Sequence, residues 1–171
     1  MKKGYIHVYT GNGKGKTTAS LGISLRAVCA GKKVFFGQFA KGMDYSELNA
    51  VKYLPNFKIC QFGRDVFISD MPCNEDIVLA KDGLEISSEA LSSGKYDMVV
   101  LDEINIAIYY KLFEVEEVLQ ILDNRCPKVE VILTGRYANK EIIDKADLVT
   151  EMKEIKHYYK KNVPARIGIE F

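Results

Sequence analysis

An α/β fold with a mostly parallel, doubly wound sheet of about six strands is predicted by three features of the chain. Short apolar runs of strand length alternate with segments of helical periodicity. A loop rich in glycine and lysine joins the first run to the first helix. Polar clusters follow several of the runs, at the strand ends where ligands collect in such sheets. Strands alternating with helices imply βαβ units, and hence parallel pairing with helices on both faces.

In chain order, the first strand is expected over Gly4 to Thr10, and the loop after it opens a helix ending near Gly31. Val34 to Phe39 is an apolar and aromatic second strand, followed by Lys41-Gly42. Ser46 and Glu47 begin a short helix that stops before Pro55. Phe57 to Phe62 reads as a third strand, and Gly63 to Pro72 as a loop dense in charged and aromatic residues. Asn74 is expected to cap a long helix through Ile77, Ala80, Leu84 and Leu91, closed by Gly94. Met98 to Leu101 is continuously apolar, the mark of a central strand in a parallel sheet, and ends in Asp102-Glu103. Val115 to Asn124 is helical and exits at Pro127. Val129 to Leu133 forms a fifth strand ending in Thr134-Gly135-Arg136. Asn139 caps a short helix to Ala146, Leu148 to Met152 adds a sixth strand, and the remaining tail is basic and aromatic.

A chain of 171 residues, 47% hydrophobic and 27% charged, suits one domain spanning 1–171. Its net charge of +1 argues for neither a nucleic-acid surface nor an anionic membrane. No apolar run approaches the roughly 20 residues that span a bilayer, and no signal-peptide-like segment follows Met1. Cys29, Cys60, Cys73 and Cys126 are too scattered for a metal or redox pair, so a cytoplasmic protein with reduced cysteines is expected.

The glycine loop carries the clearest chemistry. Between Tyr9 and Thr18, glycines let the backbone approach an anion closely, and successive N–H groups form a concave nest. The following helix aims the positive end of its dipole at the same point. Gly11, Asn12, Gly13, Lys14, Gly15, Lys16, Thr17 and Thr18 are the candidate triphosphate cradle. Lys16 reaches the outer phosphates, and the Thr17 hydroxyl is placed to ligate Mg²⁺. The spacing is unusual: Thr10 stands where the common pattern has glycine, so counted from Gly11 the loop is one residue short.

Asp102-Glu103 looks like the acidic end of an NTPase metal strand, since Mg²⁺ takes oxygen ligands and Thr17 with one of these acids supplies them. Arg136 is a candidate phosphate or carboxylate contact through its planar fork. Plainer readings exist: a glycine turn before an ordinary helix, acids that cap the next helix, a surface ion pair for Arg136. His7 is expected to be a hydrogen-bonded structural residue, while the role of His157 stays open. No Ser-His-Asp or Cys-His set stands out and no water-activating base follows the acidic pair, so hydrolysis of ATP is not the expected main business.

The run YTGNGKGKTT (Tyr9 to Thr18) resembles the phosphate loop of the CobA/BtuR-type corrinoid adenosyltransferases. So do Gln38-Phe39-Ala40-Lys41-Gly42, Val99 to Glu103, Thr134-Gly135-Arg136, Ile155-Lys156-His157 and Gly168 to Phe171. The short loop is normal in that family. The resemblance implies a three-layer P-loop NTPase-like (RecA-like) fold. It also implies a reaction in which a Co(I) corrinoid attacks the 5′ carbon of ATP and expels triphosphate, with ATP held opposite to the usual direction. The resemblance further implies the cofactor Mg²⁺, held by Thr17 and Glu103 with Asp102 beside them, and Lys16 and Glu103 as catalytic residues. The corrinoid side is assigned to Gln38, Lys41 and Phe67. A homodimer and an electron-donor flavoprotein follow as expected partners. Family members carry a Phe-x-Trp pair after a glycine-rich turn; here that stretch is Gly63 to Ile68, and the chain has no tryptophan. The alternatives are an ordinary P-loop NTPase or nucleotide kinase, and a non-catalytic nucleotide- or corrinoid-binding module.

Overall fold

The computed structural model describes residues 3–66, 68 and 71–171. Strands β1 (Ile6–Thr10), β2 (Val34–Phe39), β3 (Phe57–Phe62), β4 (Met98–Asp102), β5 (Glu130–Thr134) and β6 (Leu148–Glu151) form one sheet. Its order is β3-β2-β4-β5-β1-β6, with every pairing parallel. Helices α1 (Lys16–Cys29), α2 (Asn74–Ser92), α3 (Ile104–Tyr109), α4 (Val115–Asp123) and α5 (Lys140–Lys145) connect them, with 3-10 turns at Ser46–Lys52 and Tyr158–Lys161.

Strand residues alternate between two apolar layers, as a pleated backbone requires. Ile6, Val8, Phe35, Val99, Leu101, Val131 and Leu133 pack with Leu84 and Leu91 of α2, Val118 and Leu122 of α4, and Ile142 of α5. Val34, Phe36, Met98, Val100 and Ile132 face the other way, against Leu21, Ala27 and Val28 of α1. The result is three layers, as predicted. Near the carboxyl edge Phe39 packs on Phe62 and Phe113, with ring centroids 5.2 and 5.7 Å away.

Parallel pairing sends the ends of β1, β2, β4 and β5 to one edge. Because β5 lies between β1 and β4, the glycine loop and the acidic pair sit one strand apart, with Thr134 between them. That placement builds the site.

The structure departs from the sequence expectations in three elements. Helix α3 follows the acidic pair with Glu103 at its N-cap, where the chain-order reading assigns no element; its six residues are almost uniformly apolar and show no helical period. Helix α2 is capped by Cys73 instead of Asn74, because the Asp76 carboxylate accepts from the Cys73 N–H at 2.9 Å. The segment after Ser46 is 3-10, a common form for short connectors. Among the described residues, no helix is long and apolar enough to cross a membrane.

Candidate functional site

The loop after β1 takes its shape from β6. The Met152 N–H donates to the Thr10 carbonyl at 2.8 Å, and the Gly13 N–H donates to the Met152 carbonyl at 2.7 Å. Gly11 has φ +95°, and a Cβ there would lie 2.4 Å from the Met152 oxygen; at Gly13 the distance would be 2.8 Å. Thr10 is the last residue of β1, opposite Glu151. The loop is therefore short because the strand runs one residue further.

Lys16 Nζ donates to the carbonyls of Gly11 and Gly13, each at 2.8 Å. Burial lowers its pKa below the ordinary lysine value. The Thr17 hydroxyl donates to Asp102 Oδ1 at 3.0 Å and accepts from Lys41 Nζ at 3.3 Å.

Asp102 is fully buried and gathers the other donors. Thr134 Oγ1 donates to it at 2.6 Å, Lys41 Nζ at 2.7 Å and Gln38 Nε2 at 3.5 Å. Burial opposes the charge on Lys41, but Asp102 and Glu103 outweigh it and raise its pKa. Glu103 stands in the left-handed region, φ 58°, with its N–H donating to Thr134 Oγ1 at 2.9 Å. A non-glycine residue there is uncommon and marks a site where surrounding structure holds the backbone. Burial, then the neighbouring Asp102, raises the Glu103 carboxyl above the usual range.

Two cavities share this charged wall. The first, about 540 Å³, runs from Asn12–Thr18 past Lys41, Glu103 and Arg136 to the tail residues His157, Ile169, Glu170 and Phe171. The second, about 340 Å³, shares Lys41, Tyr45, Glu103 and Arg136 and continues between Ile68, Ile106, Tyr110 and Tyr137. Among the described residues, no three His, Cys, Asp or Glu side chains converge as a metal centre. The oxygen donors at hand are the Thr17 hydroxyl and the Glu103 carboxylate, hard ligands suited to a cation that also binds phosphate.

The tail is part of the site. Lys14 Nζ donates to the Ile169 carbonyl at 2.8 Å and lies 3.2 Å from Glu170 Oε1. The Tyr158 hydroxyl, then Arg166 and Lys14, hold the Glu170 carboxyl down at about 2.

The residues expected to act together thus converge: the loop, Lys41, Asp102, Glu103 and Arg136. Gln38 lines neither of the two cavities just described. It is fully buried, and its Nε2 donates to Glu47 at 3.0 Å and to Asp102 at 3.5 Å. Phe67 lies outside the described residues. His7 is the structural residue expected, 2.6 Å from Glu130. Sequence reasoning missed Tyr45, which holds Lys41 Nζ 5.3 Å from its ring centroid, and the tail residues on the cradle. The one available signal was an aromatic close to Lys41-Gly42.

A family model described as ATP:corrinoid adenosyltransferase BtuR/CobO/CobP matches residues 2–171. The chain belongs to that family. It is 37% identical to the corrinoid adenosyltransferase of Escherichia coli (strain K12), over 99% of this chain and 87% of that one. A corrinoid adenosyltransferase of Sinorhizobium sp is 38% identical, covering 99% and 81%. Corrinoid adenosyltransferase CobA of Salmonella typhimurium is 36% identical, covering 99% and 87%. The shortened loop, the acidic end of β4 and the tail over the cradle are how this adenosyltransferase-family chain builds its strand-end site.

Proposed function

We propose that this chain transfers the 5′-deoxyadenosyl group of ATP to the Co(I) of a reduced corrinoid and releases triphosphate. The observation that carries the reading is the pair of cavities joined through Lys41, Glu103 and Arg136, a phosphate cradle on one side and an aromatic chamber on the other. The cobalt electron pair attacks C5′ and becomes the cobalt–carbon bond, triphosphate leaves with the electron pair of the broken C5′–O bond, and cobalt is formally oxidised from Co(I) to Co(III). No protein base enters this balance.

The triphosphate lies in the loop, where Lys14, Lys16 and Arg136 counter its charge, and the adenosyl end points toward the second cavity. Lys16 exchanges its two loop carbonyls for phosphate oxygens on binding. Thr17 and Glu103 would hold Mg²⁺, with Asp102 fixing the Thr17 hydroxyl from behind. Bound there, Mg²⁺ supplies further neutralisation of the leaving group. The chain's own contribution is orientation and electrostatics, because the acceptor carries the difficult chemistry. Dimerisation, a flavoprotein electron donor and a cytoplasmic location belong to the same proposal and rest on the family likeness.

The test is anaerobic incubation with ATP, Mg²⁺ and chemically reduced cobalamin. A light-sensitive adenosylated corrinoid and triphosphate are expected. Phosphate or diphosphate without a cobalt–carbon product would favour an ordinary P-loop NTPase.

A further inference from the structure

The second cavity has a wall that phosphate binding does not explain. Tyr137, directly after Arg136, borders it with φ 59°. A bulky aromatic in the left-handed region is an outlier that the surrounding structure must hold in place. Its ring stacks on Tyr109 of α3, with centroids 4.3 Å apart and planes 30° from parallel. Tyr109 in turn meets the Tyr110 ring edge-on at 5.5 Å. Core packing does not account for the stack, since Tyr109 is 55% exposed and Tyr137 53%. It forms an open plate at the mouth. Ile68, from the loop after β3, lines the same cavity, and the charged wall of Lys41, Glu103 and Arg136 completes it.

We infer that Tyr137, backed by Tyr109, is a specificity-determining shelf that seats an apolar face of the corrin ring. The inference rests on the adenosyl-transfer reading. A corrin is a broad macrocycle too large for a chamber of about 340 Å³ and must lie across its mouth. A half-exposed plate suits such a ligand, whereas an adenine would be gripped inside a closed slot. Tyrosine offers large, rigid aromatic area with a polar rim, and this chain has no tryptophan to do so. Stacking on Tyr109 also offsets the backbone cost at Tyr137, so the strain is retained where a ring is needed.

Tyr137→Asn and Tyr109→Ala test this in the full chain, the first because asparagine tolerates a positive φ and leaves the turn intact. Steady-state adenosylation is measured with reduced cobalamin and ATP varied in turn. Binding of hydroxocobalamin is followed separately by quenching of tyrosine fluorescence. The KM for the corrinoid and the hydroxocobalamin Kd are expected to rise on the order of tenfold as the stacking surface is lost. The KM for ATP should stay within about twofold, and Tyr137→Phe should restore corrinoid binding. Unchanged corrinoid parameters in a folded, active variant overturn the shelf, as does a rise confined to the KM for ATP. Absence of any adenosylated product from the unaltered protein overturns the parent reading instead, and the shelf with it.

Discussion

Asp102 is the residue on which the site's polar contacts converge. It is fully buried, and Thr17, Lys41 and Thr134 all donate to it within 3.0 Å. Removing the carboxylate strands the Lys41 ammonium, whose side chain is only 14% exposed. Asp102→Ala should therefore lose about 3–5 kcal/mol of stability, read as a lower urea midpoint. Lys16→Ala acts differently: its partners are loop carbonyls and, in the reading above, phosphates. It should fold normally and lose roughly 10²–10³ in kcat/KM for ATP, as seen when one preorganised donor is removed. These two residues were legible in the sequence because a glycine loop and an acidic strand end have fixed spacings. The burial of Gln38 was not, since whether a polar residue faces a ligand or a carboxylate depends on the strand beside it.

At the scale of elements, Arg64, just after β3, is tied to the first turn of α2: its Nε and Nη2 donate to Asp76 at 2.7 and 2.9 Å. The Arg64 hydrogen bonds, with the Cys73 N–H, lower the Asp76 pKa from 3.8 to about 2. A depressed carboxyl stabilises the fold above its unfolded value and loses that contribution as pH falls through its folded one. Stability should thus decline between pH 3.8 and about 2. Arg64→Ala should flatten that decline, as measured by thermal unfolding across the same range. The glycine loop gives a second prediction. Gly13→Ala sets a Cβ 2.8 Å from the Met152 carbonyl, so ATP affinity should fall in calorimetry while α1 persists. Both elements were legible in outline from alternating patterns. Helix α3 was not, because INIAIY is apolar except for Asn105 and brings Ile106 to the cavity without announcing a helix.

The whole molecule turns six parallel strands into one reactive edge. Inserting β5 between β1 and β4 separates the cradle from the acids by one strand and leaves Thr134 to bridge Asp102 and Glu103. The layer architecture was readable from strand–helix alternation, since parallel strands need crossovers and crossovers need helices. The closure of the cradle by the tail was not, because Lys14 and Ile169 are 155 residues apart in sequence. In the proposed reaction the adenosyl carbon, not a phosphorus atom, meets the acceptor. Anaerobic turnover of ATP labelled at the 5′ carbon, with reduced cobalamin and Mg²⁺, measures this directly. Label bound to cobalt, with one triphosphate released per cobalt–carbon bond, is the expected result. Label retained in ADP or AMP would contradict it.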